Sequence, residues 1–262
     1  MSLVRRVAQT AFVVADTFQR RLRGPRILIY HQVGSGQSHE MNVTVDAFRR
    51  QIDWLEAHGE IVSLEEGCQR REGSDAEHLY VLTFDDGYAD VFTNAYPLLE
   101  QRRVPFTLYL TSGPTEAPGD FPDWPGTPLT WEQIAIMHGS GLMTLGAHTH
   151  THTDLRHVDL VTATEEIELS NRLIEQRLGE LPEHFTYPKG WWSETADPAV
   201  RNAYSSATLG MGASITSGSD LYTLNRVPVL ASDTLWAFRR KMLTGGRTEN
   251  RVRRLRHHYT GP

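Results

Sequence analysis

Leu79-Tyr80-Val81-Leu82-Thr83-Phe84-Asp85-Asp86-Gly87-Tyr88 joins a short apolar run to two adjacent carboxylates and a glycine. The run 79–84 predicts a buried β-strand. Two carboxylates at the end of such a strand are costly unless paired, hydrogen-bonded or bound to a metal. A plainer reading, a double Asp capping a turn before Gly, stays open for this stretch alone. Similar apolar runs recur at 26–31, 106–111, 143–147, 185–188, 206–211 and 226–230. Between them lie segments with helical spacing, at 43–59, 89–101, 130–138, 161–178, 198–204 and 234–243. This alternation predicts α/β architecture with a largely parallel sheet. Polar residues repeatedly end the predicted strands, which is where such folds build their sites. Residues 112–128, rich in Pro and Gly, predict a long surface loop.

A second concentration of chemistry follows the predicted strand at 143–147. In Gly146-Ala147-His148-Thr149-His150-Thr151-His152-Thr153-Asp154-Leu155, three histidines alternate with threonine, and a fourth, His157, lies just beyond. His and Asp together suit zinc or another divalent transition metal. On an extended chain His148, His150 and His152 would share one face, so a His-x-His ligand pair is open at this point.

The segments Thr83-Phe84-Asp85-Asp86-Gly87-Tyr88, His148 to His152 and Phe185-Thr186-Tyr187-Pro188-Lys189-Gly190 resemble the first three motifs of the polysaccharide deacetylases (carbohydrate esterase family 4, NodB-homology domain). Ile29 to Val33, Leu129 to Ile134 and Leu224 to Val229 resemble segments of the exopolysaccharide and N-acetylglucosamine deacetylase branch. The resemblance covers roughly residues 27–238. It implies an irregular (β/α) barrel, seven-stranded, that removes acetyl groups with one divalent metal, zinc first and cobalt, nickel or manganese as alternatives. It implies Asp86, His148 and His152 as metal ligands and Asp85 as general base. It also implies Tyr187, Pro188, Lys189 and Gly190 around the substrate, with a backbone N–H near Lys189 for the oxyanion. His150 then stands behind the ligands or exposed.

This chain departs from the pattern in three places. Thr186 stands where the family has an Arg that orients the catalytic Asp, and Arg226 is the candidate replacement. Lys189 stands where an aromatic is usual. The late Leu-x-His motif that supplies the general acid is absent, and His257 and His258 are poor substitutes. His31, at the end of the first predicted strand, is the candidate acid, because an amine leaving group must be protonated to depart.

Composition bounds the remaining possibilities. The 262 residues carry a net charge of −6 and one cysteine, Cys68. A single cysteine excludes an internal disulfide framework and a Cys-based zinc finger. No stretch reaches the ~20 apolar residues of a membrane span. Residues 1–26 hold six arginines against Asp16, and 239–258 hold eight Lys and Arg against Glu249, so the stretch between is strongly acidic. The sequence therefore predicts an amphipathic N-terminal extension at 1–26, a catalytic domain at 27–238 and a basic C-terminal helix or tail at 239–262. The acidic body and the absence of a Gly-rich phosphate loop argue against nucleic acid. The start reads as an amphipathic helix rather than a secretory leader. That reading predicts a cytoplasmic protein, with peripheral contact to an anionic membrane through the basic ends as the sharper alternative to simple packing. The leading functional expectation is a hydrolase acting on N-acetylated sugars of a cell-surface polysaccharide, oligosaccharide or precursor. The alternatives are a carbohydrate-binding pseudoenzyme and an amidohydrolase or deformylase acting on a nucleotide-linked sugar.

Overall fold

The computed structural model describes residues 23–117, 121, 125–210 and 214–245. Most of the expected N-terminal extension, and the C-terminal tail beyond 245, lie outside the described residues. Seven parallel strands form a closed barrel: β1 Arg26–Tyr30, β2 Leu79–Asp86, β3 Phe106–Leu110, β4 Met143–Ala147, β5 His184–Thr186, β6 Ser206–Leu209 and β7 Leu224–Pro228. Each strand pairs with its neighbours in chain order. Closure comes from β1, which pairs with β2 from Arg26↔Tyr80 to Tyr30↔Phe84 and with β7 from Ile27↔Arg226 to Ile29↔Pro228. This is the α/β barrel of seven strands that the sequence predicts.

Successive side chains of a strand face opposite sides. In β2, Tyr80, Leu82 and Phe84 face outward to the helices, while Leu79 and Val81 join Ile27, Tyr109 and Leu224 in a separate interior cluster. The parity of 79 and 81 carries on to Thr83 and Asp85, so Asp85 points into the barrel at its C-terminal mouth. Outside, helix α1 (Val45–His58) is capped by the Thr44 side chain, which accepts from the Ala47 N–H. It lays Phe48, Ile52 and Leu55 on the barrel, with Phe48 5.2 Å from the ring of Tyr30. Helix α2 (Leu160–Leu178) starts at an Asp159 cap and ends at Gly179. Its buried stripe of Ala163, Ile167, Ser170 and Ile174 follows helical spacing.

Four expectations change. The helix expected at 89–101 is a π turn, Val91–Ala95, followed by an α-helix, Tyr96–Arg102; Pro97 lacks the N–H an unbroken helix needs and falls in that second helix's first turn. The expected loop at 112–128 begins with a short helix, Ser112–Glu116. Arg26, placed by the domain division in the extension although the apolar run 26–31 includes it, is a buried residue of β1 whose Nε donates to the Met242 carbonyl at 2.6 Å. Helix α3 (Leu235–Thr244) crosses the boundary expected at 239 and buries Phe238, Met242 and Lys241. Lys241 is not a solvated basic residue: its ammonium pairs with Asp233 at 2.9 Å. No described helix is long and apolar enough to cross a membrane.

Candidate active site

A cavity of about 510 Å³ opens at the C-terminal mouth of the barrel and is lined by Asp85, Asp86, His148, His152, His31 and Arg226, among others. Asp85 and Asp86 are sequence neighbours, yet both reach it. Asp86 has φ 72° and Gly87 φ 101°, so the strand turns left-handed at its last residue. The usual alternation ends there, and the second carboxylate swings to the same opening as the first.

Asp85 is 3% exposed and Arg226 1%. The guanidinium grips the carboxylate at both oxygens, Nη1 to Oδ1 and Nη2 to Oδ2, each at 2.7 Å. The same two nitrogens donate to the hydroxyls of Thr83 at 2.8 Å and Thr186 at 2.7 Å, and Nε donates to the Leu209 carbonyl at 3.2 Å. The cation also lies 5.2 Å from the centroid of the Tyr109 ring. Burial pushes the Asp85 carboxyl up, but the Arg226 charge and its hydrogen bonds outweigh burial and hold it below the usual carboxylate range. Thr186, where the resemblance leads one to expect an Arg, thus helps hold the Arg that reaches in from β7.

Asp86 faces the histidines. Nε2 of His148 and Nε2 of His152 each lie 3.5 Å from Asp86 Oδ1. The His148 Nδ1 lies 2.7 Å from the Thr186 carbonyl oxygen, which can only accept. Nδ1 must therefore carry the proton, leaving the Nε2 lone pair turned toward a carboxylate oxygen. Burial, with His152 adding to it, pushes His148 down to about 4, so its ring is neutral at pH 7. Asp86 Oδ1 is buried and has no hydrogen-bond partner. Acceptors converging on one point fit a cation. One donor atom from each of the three residues lies within 4.8 Å of the others. The residues fit a divalent metal of the nitrogen- and oxygen-binding type.

Three residues, 149–151, separate the two histidines, and the chain between them is neither extended nor helical. Thr149 has φ 64° and His152 φ 63°, which costs roughly 1–2 kcal/mol per residue. External contacts hold this shape. Glu166 Oε2 on α2 accepts the N–H groups of His150 at 3.0 Å and Thr151 at 2.8 Å, and Oε1 accepts the Thr151 hydroxyl at 2.7 Å. From the other side, the Ser112 and Gly113 N–H groups donate to the carbonyls of Thr149 and His150 at 3.3 and 2.8 Å. The Ser112 hydroxyl lies 3.0 Å from His150 Nδ1. His150 therefore faces Ser112, apart from the three clustered donors.

Of the other sequence-predicted residues, His31 lines the cavity, with its Nδ1 buried and without a hydrogen-bond partner. Lys189 and Gly190 line it too. Lys189 is left-handed at φ 63°, and the Gly190 N–H is engaged with the Tyr187 carbonyl at 2.9 Å. Tyr187 and Pro188 are not among the lining residues; the Tyr187 ring is buried and its hydroxyl donates to Asp197 at 3.3 Å. Sequence reasoning missed Thr83, Glu166 and the pair Asp154–Arg156. That pair lines the cavity, with Arg156 Nε 2.9 Å from Asp154 Oδ1 and its guanidinium 5.1 Å from the Trp191 ring centroid. The Asp-x-Arg spacing at 154–156 is the one local signal that could have marked it.

The sequence model described as polysaccharide deacetylase matches residues 72–207. YxkH of Bacillus subtilis (strain 168), assigned by its name to the polysaccharide deacetylases, is 25% identical over 207 residues, covering 78% of this chain and 70% of that protein. A poly-β-1,6-N-acetyl-D-glucosamine N-deacetylase of Staphylococcus aureus (strain MSSA476) is 21% identical over 185 residues, 67% of this chain. The chain spans 63% of the length of that relative. A solved polysaccharide deacetylase from Bacillus cereus shares the fold, with a TM-score of 0.71 at 20% identity over 86% of this chain and 70% of that one. Arg226 and His31 fall outside the matched stretch. That stretch nevertheless runs from ahead of β2 into β6 and takes in both carboxylates and both histidines, and by it the chain belongs to the polysaccharide deacetylase family.

Proposed function

We propose that this protein is a metal-dependent hydrolase that removes acetyl groups from N-acetylated sugars of a cell-surface polysaccharide, an oligosaccharide or its precursor. The carrying observation is the buried, unpartnered Asp86 oxygen facing two imidazole nitrogens, beside a second carboxylate kept ionised by Arg226. Asp86, His148 and His152 would hold the ion, with zinc the first candidate for this donor set and cobalt, nickel or manganese the alternatives. When bound, a divalent ion supplies Lewis acidity to the acetyl carbonyl and lowers the pKa of a coordinated water.

The chain's own groups divide the remaining work. Asp85 accepts the proton of the attacking water, and Arg226 keeps it charged and aimed. A backbone N–H near Lys189, which lines the cavity, is the donor for charge developing on the acetyl oxygen. His31, protonated, delivers a proton to the departing sugar amine. Two departures favour a non-catalytic binding protein, the missing Arg at Thr186 and the absent late histidine; the Arg226–Asp85 pairing supports the enzyme against the first, and His31 is proposed to answer the second.

Metal analysis combined with acetate release from N-acetylglucosamine oligomers tests the proposal. Wild type should contain about one equivalent of metal, and Asp85→Asn should lose roughly 10²–10⁴-fold in turnover. A protein that takes up no divalent metal, or equal turnover in both proteins, refutes it. His31→Ala should keep its metal and lose most amide hydrolysis.

A further inference from the structure

Glu166 lies on α2 and accepts the backbone N–H groups of His150 and Thr151 and the Thr151 hydroxyl. Those two residues form the middle of the loop whose ends are His148 and His152. The loop turns left-handed at Thr149 and again at His152. These are conformations that residues other than glycine leave unless neighbouring structure holds them. Within the loop, the His152 N–H donates to the Thr149 hydroxyl at 3.1 Å. Externally, the loop is fixed by Ser112 and Gly113 on one side and by Glu166 on the other. Ser112 and Gly113 take hold through carbonyls; only Glu166 among these takes hold of the N–H groups at the bend.

We infer that Glu166 is a positioning residue for the metal site, a carboxylate clamp that holds the 149–152 bend so that the His148 and His152 Nε2 atoms converge on Asp86. This rests on the reading that Asp86, His148 and His152 bind the ion. Glu166 acts through the loop backbone. Its neighbours on the same helix, Glu165 and Glu168, are exposed and do not share the contact.

The geometry also says which property matters. One oxygen, Oε2, accepts both N–H groups. A glutamine carbonyl can do the same while its amide donates to the Thr151 hydroxyl, so acceptor placement rather than charge should decide the outcome.

The test is zinc affinity measured by competition with a chromophoric chelator, alongside the melting temperature of the metal-free protein. Glu166→Ala should raise the zinc Kd by roughly 10–100-fold, the usual effect of losing a group that orients a ligand. Glu166→Gln should stay within about threefold of wild type, as an isosteric acceptor should. Glu165→Ala and Glu168→Ala should bind as wild type. Should Glu166→Ala fail to fold, Glu166→Asp, which keeps the charge but shortens the reach, should show the same loss. A lowered melting temperature with an unchanged zinc Kd overturns the inference, because that is what a merely structural residue would give. His148→Ala separates the two levels of argument. If it too binds zinc like wild type, the metal site itself is wrong and the clamp falls with it. If His148→Ala loses zinc and Glu166→Ala does not, only the clamp is wrong.

Discussion

Replacing Arg226 by Met should expose how the barrel keeps Asp85 ionised. The substitution deletes two 2.7 Å bonds to the carboxylate, two to threonine hydroxyls and one to a carbonyl, all inside the barrel. Breaking a buried pair by removing one partner costs about 3–5 kcal/mol, because the other charge stays behind. For a chain of this size that lowers the melting temperature by roughly 6–20 °C. The penalty carries a pH signature. In wild type the folded Asp85 pKa lies below its unfolded value, so the pair's contribution is complete above that unfolded value and is lost as pH falls through the folded pKa. In Arg226→Met the carboxyl is buried without its cation, and its folded pKa moves above the unfolded one. Stability then declines as pH rises from about 4, and each unit of elevation adds about 1.4 kcal/mol of penalty at high pH. Urea unfolding at pH 5 and pH 8, with a chelator present throughout, should therefore show a larger deficit at pH 8. In Arg226→Met/Asp85→Asn the carboxyl is gone, so the pH difference should vanish, with a coupling of about 2 kcal/mol or more relative to the single variants. An equal deficit at both pH values, together with additive single effects, would refute the pairing argument.

Three further outcomes follow from other parts of the molecule. Zinc at about 100 times its Kd should stabilise the folded protein by about 2.7 kcal/mol over the chelated form, and His148→Ala should show no such rise in a thermal melt. Asp90 is pushed up to about 7 by burial, while the Val33 N–H donates to its Oδ1 at 2.6 Å. A carboxyl with a raised folded pKa costs stability progressively from its unfolded pKa upward. Asp90→Asn, which keeps the acceptor, should therefore stabilise by about 2 kcal/mol at pH 8 and little at pH 4, after discounting roughly half of the shift for residual solvent; a pH-independent effect in urea melts would contradict this. Gly113→Ala should weaken zinc binding and lower the melting temperature, because a Cβ there would sit 2.6 Å from the His150 carbonyl oxygen; unchanged values for both would count against the loop anchor.

What the sequence made legible was local. Asp85, Asp86, His148 and His152 stand in short runs whose strand ends can be read from hydrophobic pattern alone. Arg226 enters the sequence reading only as the candidate replacement for the Arg missing at Thr186. Its partner lies 141 residues away, and the two meet because β7 closes onto β1, whose other neighbour is β2. Closure is not written in any single segment. His150 shows the limit of periodicity. Alternation puts it on one face with its neighbours, but the left-handed turns at Thr149 and His152 break that alternation and aim it at Ser112. Glu166 was invisible for a different reason: Glu165, Glu166 and Glu168 look alike on a helix until the position of the loop selects one. Lys241, read as part of a basic end, is a buried ion-pair member, since charge counted along a chain does not say which groups fold inward.

The two adjacent carboxylates pose one physical problem and the barrel solves it twice. Asp85 is buried with a guanidinium that grips both its oxygens, so its charge is balanced by the protein itself. Asp86 is equally buried, but its Oδ1 faces two imidazole Nε2 atoms and has no hydrogen-bond partner. An anion left in that state is destabilising, and the ion proposed for Asp86, His148 and His152 would offset that cost. The division follows from a single left-handed residue. At φ 72° Asp86 leaves the face that Asp85 continues, so Asp85 meets the fixed charge of Arg226 while Asp86 turns to the two histidines. On the proposed function, a base that must stay ionised beside a divalent ion needs such a split. If both carboxylates faced the ion, both would serve as ligands and neither would remain to take a proton.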